Sequence, residues 1–168
     1  MNTKQTDPQE LAAQFLKYLR QLKNDRGAMA DLRRALNPAQ RHRAWPLLAR
    51  FGGIGNARYE TVAGLFAHHP EETNAGNLGT TCRQLGAEHN TFEGRFRRLL
   101  ACDREEICDH IRPVVFVAKS KGVPVNYEQL FVDLWYWSDA VKVRWAAEFW
   151  GAPASEETGA PAITEAVP

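Results

Sequence analysis

Arginine dominates the charged chemistry of this sequence. Between Gly27 and Pro46, "GAMADLRRALNPAQRHRAWP", Arg33, Arg34, Arg41, Arg43 and His42 face one acid, Asp31. Arg50 and Arg58 extend the run, and Arg95, Arg97 and Arg98 form a second group. A guanidinium is planar, permanently charged and forked, so it engages phosphate oxygens two at a time. A solvated basic face explains any one of these residues. The set as a whole fits an anionic polymer better. No recognition-helix pattern for reading base edges accompanies it, so the expected contact is to a polynucleotide backbone, without sequence preference.

Other chemistries find less support. Cys102, Cys108 and His110 are neighbours in sequence and His68-His69 are adjacent, but neither group has a zinc spacing such as C-x2-C or H-E-x-x-H. Three cysteines make no disulfide framework and read as reduced, structural thiols. No G-x-S-x-G is present. "GGIGNAR" lacks the third glycine and the preceding strand of a dinucleotide fingerprint and reads as a helix stop at Gly52-Gly53. Glu71-Glu72 and Glu105-Glu106 read as a solvated loop and a helix first turn. Tryptophan can stack on bases, but Trp135, Trp137 and Trp145 fall on apolar stripes and are assigned to the core; Trp150 ends the last helix. The expectation is a protein that is not an enzyme and needs neither metal nor cofactor.

The net charge of +1 conceals an uneven distribution. Residues 1–58 hold eleven Lys and Arg against four Asp and Glu, whereas residues 59–93 hold one against five. The last eighteen residues hold three Glu and no base. Such a field suits an anionic partner. At 44% apolar residues, with five tryptophans in 168 residues, the chain can fill a core. No apolar run approaches the roughly 18 residues of a membrane span. The polar start "MNTKQTDPQE" lacks a signal core, and a cytoplasmic location is expected.

Helices must position these residues. Asp7-Pro8-Gln9-Glu10 opens the first, with Leu11, Phe15, Tyr18, Leu19 and Leu22 at helical spacing. A second runs from about Gly27 to Leu36 on Met29, Leu32 and Leu36. Asn37-Pro38 and Pro46 restart the chain, with Leu47, Leu48 and Phe51 inward. A helix on Val62, Leu65 and Phe66 stops near His68-His69-Pro70. "PEETNAGN" reads as a mobile loop, and Asn77 to Leu85 as a short helix. A further group starts near Asn90, with Phe92, Phe96, Leu99 and Leu100 as a stripe and Arg95 and Arg98 on another face. Asp103 to Glu106 is a capping box for a helix on Ile107, Ile111, Val114, Val115 and Ala118, which Pro113 should kink and Gly122 end. Asn126 caps the next helix (Leu130, Phe131, Leu134), and Ser138 is expected to cap the last (Val141, Trp145, Ala146, Phe149). The chain reads as all-α, with two bundle-like helical lobes: residues 1–87, then 88–150. Residues 151–168, rich in Pro, Ala and Glu, read as a disordered tail.

"GAMADLRRAL", "GNLGTTCRQLG", "FEGRFRRLLACDREEICDHIRPVV" and "VNYEQLFVDLWYWSDAVKVRWAAEFWG", in that order, resemble the CasB family, the small subunits of the type I-E CRISPR surveillance complex, Cascade. The resemblance covers about residues 8–151. It implies an all-helical, non-catalytic subunit in two lobes, present as a pair beside the backbone and large subunits. It implies a basic surface that holds CRISPR RNA and target DNA, single-stranded or hybrid, and keeps the R-loop open. Carried over by position, the basic determinants fall on Arg34 in "LRRAL", Arg58 in "GNARYE", Arg104 in "CDREE" and Arg112 in "HIRPV", with Arg33, Arg97 and Arg98 in support. Lys119, Lys121, Lys142 and Arg144 complete the candidate nucleic-acid-binding set. The resemblance leads one to expect a basic pair at Arg112; this sequence has Pro113 there instead. The other reading is a helical protein–protein interaction subunit of a ribonucleoprotein, whose arginines pair with acids of neighbouring subunits.

Overall fold

The computed structural model describes residues 6–87 and 92–151. Among these the protein is all-α, as expected. The start of the second helical group near Asn90, and the tail from residue 152, lie outside the described residues. Helix α1 (Pro8–Gln21) begins where Asp7 accepts the backbone N–H of Gln9 and Pro8 supplies a preset φ. Helix α2 is Arg26–Arg33, capped by Asp25, and its last turn tightens into a 3-10 turn over Arg34–Leu36. The expected helix to Leu36 is therefore α only as far as Arg33. Short turns follow: Arg41–Ala44 in 3-10 form, α3 (Trp45–Leu48) with Pro46 in its first turn, then Ala49–Phe51. Gly52, at φ 70°, ends this run in the left-handed region that glycine adopts without a Cβ penalty.

Helix α4 (Ala57–His68), capped by Asn56, is buried on every side from Tyr59 to Ala67 and forms the axis of the molecule. It packs on α2, on α7 (Ile107–Lys121) and on α8 (Tyr127–Trp135), while α1 lies against α8. Helix α5 (Leu78–Gly86) opens with a capping box between Asn77 and Thr80 and contacts α6 (Phe92–Ala101), α7 and α9 (Asp139–Phe149). Gly79 makes the α5–α9 contact possible: a Cβ there would overlap the Trp145 carbonyl. The Tyr127 hydroxyl, buried, donates 2.6 Å to the His69 carbonyl and 3.2 Å to that of Leu65, closing the end of α4.

Two local expectations are corrected. The "PEETNAGN" stretch is pinned rather than mobile: Val125 N–H donates to the Glu71 carbonyl and Thr73 N–H to that of Val125, both at 3.1 Å, and Arg20 Nε meets the Glu72 carboxylate at 2.8 Å. Ser138 occupies the N-cap position of α9, but its side chain makes no capping hydrogen bond.

Candidate nucleic-acid interface

Helix α7 is the spine of the basic region. Its apolar residues Ile111, Val114, Val115 and Ala118 are buried, which turns Arg112, Phe116 and Lys119, spaced i, i+4, i+7, along one outer ridge. Before α7, Asp103 Oδ1 accepts the N–H of Glu105 (2.9 Å) and Glu106 (3.0 Å), and Glu106 returns a carboxylate to Asp103 N–H at 3.0 Å. That box fixes the turn carrying Arg104. Pro113 stands inside α7 and offers no N–H to the Asp109 carbonyl. Immediately before that proline, Arg112 donates through Nη1 to the Leu36 carbonyl at 2.8 Å and approaches Asp109 at 3.4 Å.

Arg58, in the first turn of α4, lies over the Trp135 ring at 4.4 Å. Arg104 Nη2 donates to the Trp137 carbonyl at 3.3 Å, and Lys142 Nζ stands 5.7 Å from the Trp137 ring. The α8–α9 corner from Trp135 to Trp137 thus gathers three cations from α4, the turn before α7, and α9. None of the three meets a carboxylate among the described residues. The corner is held by Trp137 Nε1 donating to the Cys102 carbonyl (2.9 Å) and by Asp133, whose carboxylate accepts Trp145 Nε1 (2.8 Å) and Gln129 Nε2 (2.9 Å). Burial pushes the Asp133 carboxyl above its usual range, against the pull of these donors. Arg58 and Arg112 both act electrostatically on the Cys108 thiol. Each also has a sheltered Nε without an acceptor.

At the other end of the ridge, Arg33 Nε donates to the Ala67 carbonyl at 3.3 Å. Burial, then Lys119 and Arg33, lower the His68 pKa, so both cations stand near its ring. His68 meets Phe116 edge-on at 5.0 Å. Arg33, Lys119 and Phe116 thus gather around His68, with Arg112 one turn before Phe116 on α7, while Arg58, Arg104 and Lys142 gather at the Trp135–Trp137 corner.

The remaining sequence candidates sit elsewhere. Arg34 is half-buried in the turn whose Leu36 carbonyl Arg112 holds. Arg97 pairs with Glu93 at 3.5 Å and lies 5.2 Å over Trp150 at the end of α9. Arg98 lines a cleft between α6 and α7 with Asp109, His110 and Pro113. Arg144 is exposed, and its carbonyl receives Asn77 Nδ2. Lys121 is exposed in the last turn of α7. Arg41, from the opening stretch, pairs with Glu60 at 3.2 Å. Sequence reasoning missed the aromatic backing: Trp135, assigned to the core with Trp137 and Trp145, is only half-buried and carries Arg58, and Phe116 and Tyr136 stand exposed. All three thiols are buried, and burial raises the pKa of each, which disfavours the nucleophilic thiolate. Among the described residues no three His, Cys, Asp or Glu side chains converge as a metal site would require.

These features define an all-α protein with a basic surface laid on aromatic rings and backbone carbonyls. The sequence profile of the CRISPR-associated protein Cse2 family matches residues 28–150, and the chain belongs to that family. A CRISPR-associated protein Cse2 from Thermus thermophilus is 31% identical, over 85% of this chain and 92% of its own. The crystal structure of CasB from the same organism superposes with a TM-score of 0.70 at 27% identity, covering 84% of this chain and 98% of that one. A chain of a CRISPR RNA-guided surveillance complex shares the fold, with a TM-score of 0.72 at 20% identity over 86% and 94% of the two chains.

Proposed function

We propose that this protein is a non-catalytic subunit of a CRISPR RNA-guided surveillance complex of the Cascade type. It binds nucleic-acid backbone without sequence preference and stabilises the guide–target hybrid and the displaced strand. Membership of the Cse2 family and the fold shared with a surveillance-complex chain support the assembly. One observation carries the binding role: Arg58, Arg104 and Lys142, from three separate elements, gather at one corner without a carboxylate partner among the described residues. Arg58, stacked on the Trp135 ring with no carboxylate partner among the described residues, keeps its positive charge for a phosphate. Strand exchange into an R-loop is nearly balanced, so backbone contacts of this kind can tip it. The partners are CRISPR RNA, target DNA, the backbone and large subunits, and a second copy of this chain.

The salt dependence of binding tests the reading. Arg58, Arg104, Arg112 and Lys142, at about −0.7 per single-strand contact, give a log–log slope of about −2.8. Raising salt four-fold then lowers affinity roughly fifty-fold, and roughly twenty-fold in Arg58→Ala. The loss should be equal for unrelated sequences; a loss confined to one sequence refutes backbone binding. If the chain shows no salt-sensitive binding to any strand, a protein-interaction module without direct nucleic-acid contact replaces the first reading.

A further inference from the structure

The basic ridge of α7 and the α8–α9 corner each carry an exposed ring that charge neutralisation does not need. Phe116 is 39% exposed on α7, opposite the buried face of that helix, with Arg112 one turn before it and Lys119 one turn after. Its ring meets His68 near-perpendicular, at 76° between planes, and Arg33 acts electrostatically on that histidine. Tyr136 is 50% exposed and makes no ring contact among the described residues. It lies between Trp135, which carries Arg58, and Trp137, whose carbonyl and ring hold Arg104 and Lys142. Single exposed apolar residues are ordinary on a protein surface. Two aromatic rings, each bracketed by cations that no core packing requires, have the composition of a single-strand platform: charge tracks the phosphates while a ring accepts an unpaired base.

Resting on the backbone-binding reading, we infer that Phe116 and Tyr136 stack on unpaired bases, so that this surface prefers single-stranded nucleic acid to duplex. The occupant follows from charge complementarity with the flanking cations. A duplex hides its base faces and can meet the cations but not the rings.

Fluorescence anisotropy on the full chain tests this with three probes: a dT20 strand, a 20-unit abasic deoxyribose-phosphate strand, and a 20-bp duplex. The dT20 strand should bind more tightly than the abasic one. Phe116→Leu and Tyr136→Leu, which keep apolar bulk but lose the ring, should each weaken dT20 binding roughly five-fold or more. Neither should change abasic binding or the salt slope, and Phe116→Trp should retain dT20 affinity. Equal binding of dT20 and abasic strands, or Leu variants indistinguishable from the parent on dT20, overturns the inference while leaving backbone binding intact. Absence of salt-dependent binding to all three probes overturns the backbone reading itself. Unchanged binding combined with failure to join the surveillance complex assigns the rings to a protein interface and overturns the inference.

Discussion

Asp133 offers a test of how the basic corner is held. Its carboxylate is buried and joins α8 to α9 through Gln129 and Trp145. Replacing it with Ala strands the Trp145 indole N–H, whose loss of an acceptor in a buried site costs about 1–3 kcal/mol. The Gln129 amide loses a second bond, while removal of a desolvated charge offsets part of the damage. The net expectation is about 2–3 kcal/mol, or about 6–9 °C in Tm at the roughly 3 °C per kcal/mol typical of this size. Asp133→Asn should behave differently, because an amide oxygen still accepts the indole N–H and Gln129 can present its own oxygen to the new NH2 group. Linkage separates the two further. The folded Asp133 carboxyl has a raised pKa, so the native state binds more protons than the unfolded chain just above the usual Asp range. Its contribution to stability is therefore largest at acid pH and falls as pH rises through that interval. Asn cannot titrate, so the stability of Asp133→Asn relative to the parent should improve from about pH 4 to 7. Urea unfolding followed by tryptophan fluorescence across pH measures both effects. An Asp133→Ala protein that melts within about 1 °C of the parent, or an Asn variant whose difference from the parent is flat with pH, refutes this account.

Tyr127→Phe removes the hydroxyl that closes α4 on the His69 and Leu65 carbonyls and should cost about 1–2 kcal/mol in chemical denaturation. Gly79→Ala forces α5 and α9 apart at the Trp145 carbonyl and should cost about 3 kcal/mol or more, whereas Gly122→Ala, where the space is open but φ is +69°, should cost about 1 kcal/mol. With all three cysteines buried and their pKa values raised, an aromatic disulfide reagent should label them only as fast as the protein opens, so labelling should accelerate with urea; prompt labelling in native buffer contradicts this.

Signals confined to a few neighbouring residues were legible in the sequence. Asp7-Pro8, Asn77, Asn126 and Gly122 mark helix ends because capping acts within one turn, and the structure uses each as expected. The apolar stripes of α1, α6 and α7 follow from their 3.6-residue period. Burial around α4 was not legible from periodicity, because a helix enclosed on all sides has no polar face to betray its orientation. The pinned loop at Glu71–Thr73 escaped because its partner, Val125, is more than fifty residues away. The candidate site divides in the same way. The abundance and clustering of arginine were evident from type and number. What each guanidinium touches was not: Arg112 reaches Leu36, 76 positions earlier, and Arg104 reaches Trp137, 33 positions later. Composition likewise could not separate a tryptophan that fills the core, as Trp145 does, from one that supports a cation, as Trp135 does.

The plane of Trp135 settles the Arg58 side chain before any partner arrives. A mobile arginine surrenders up to about 2 kcal/mol of rotamer freedom when it is fixed by a ligand. Here part of that ordering is completed as the chain folds, and the guanidinium is presented flat and already oriented. A polyanion meeting such a surface finds it pre-shaped, so the penalty for immobilising that side chain falls on folding rather than on each encounter.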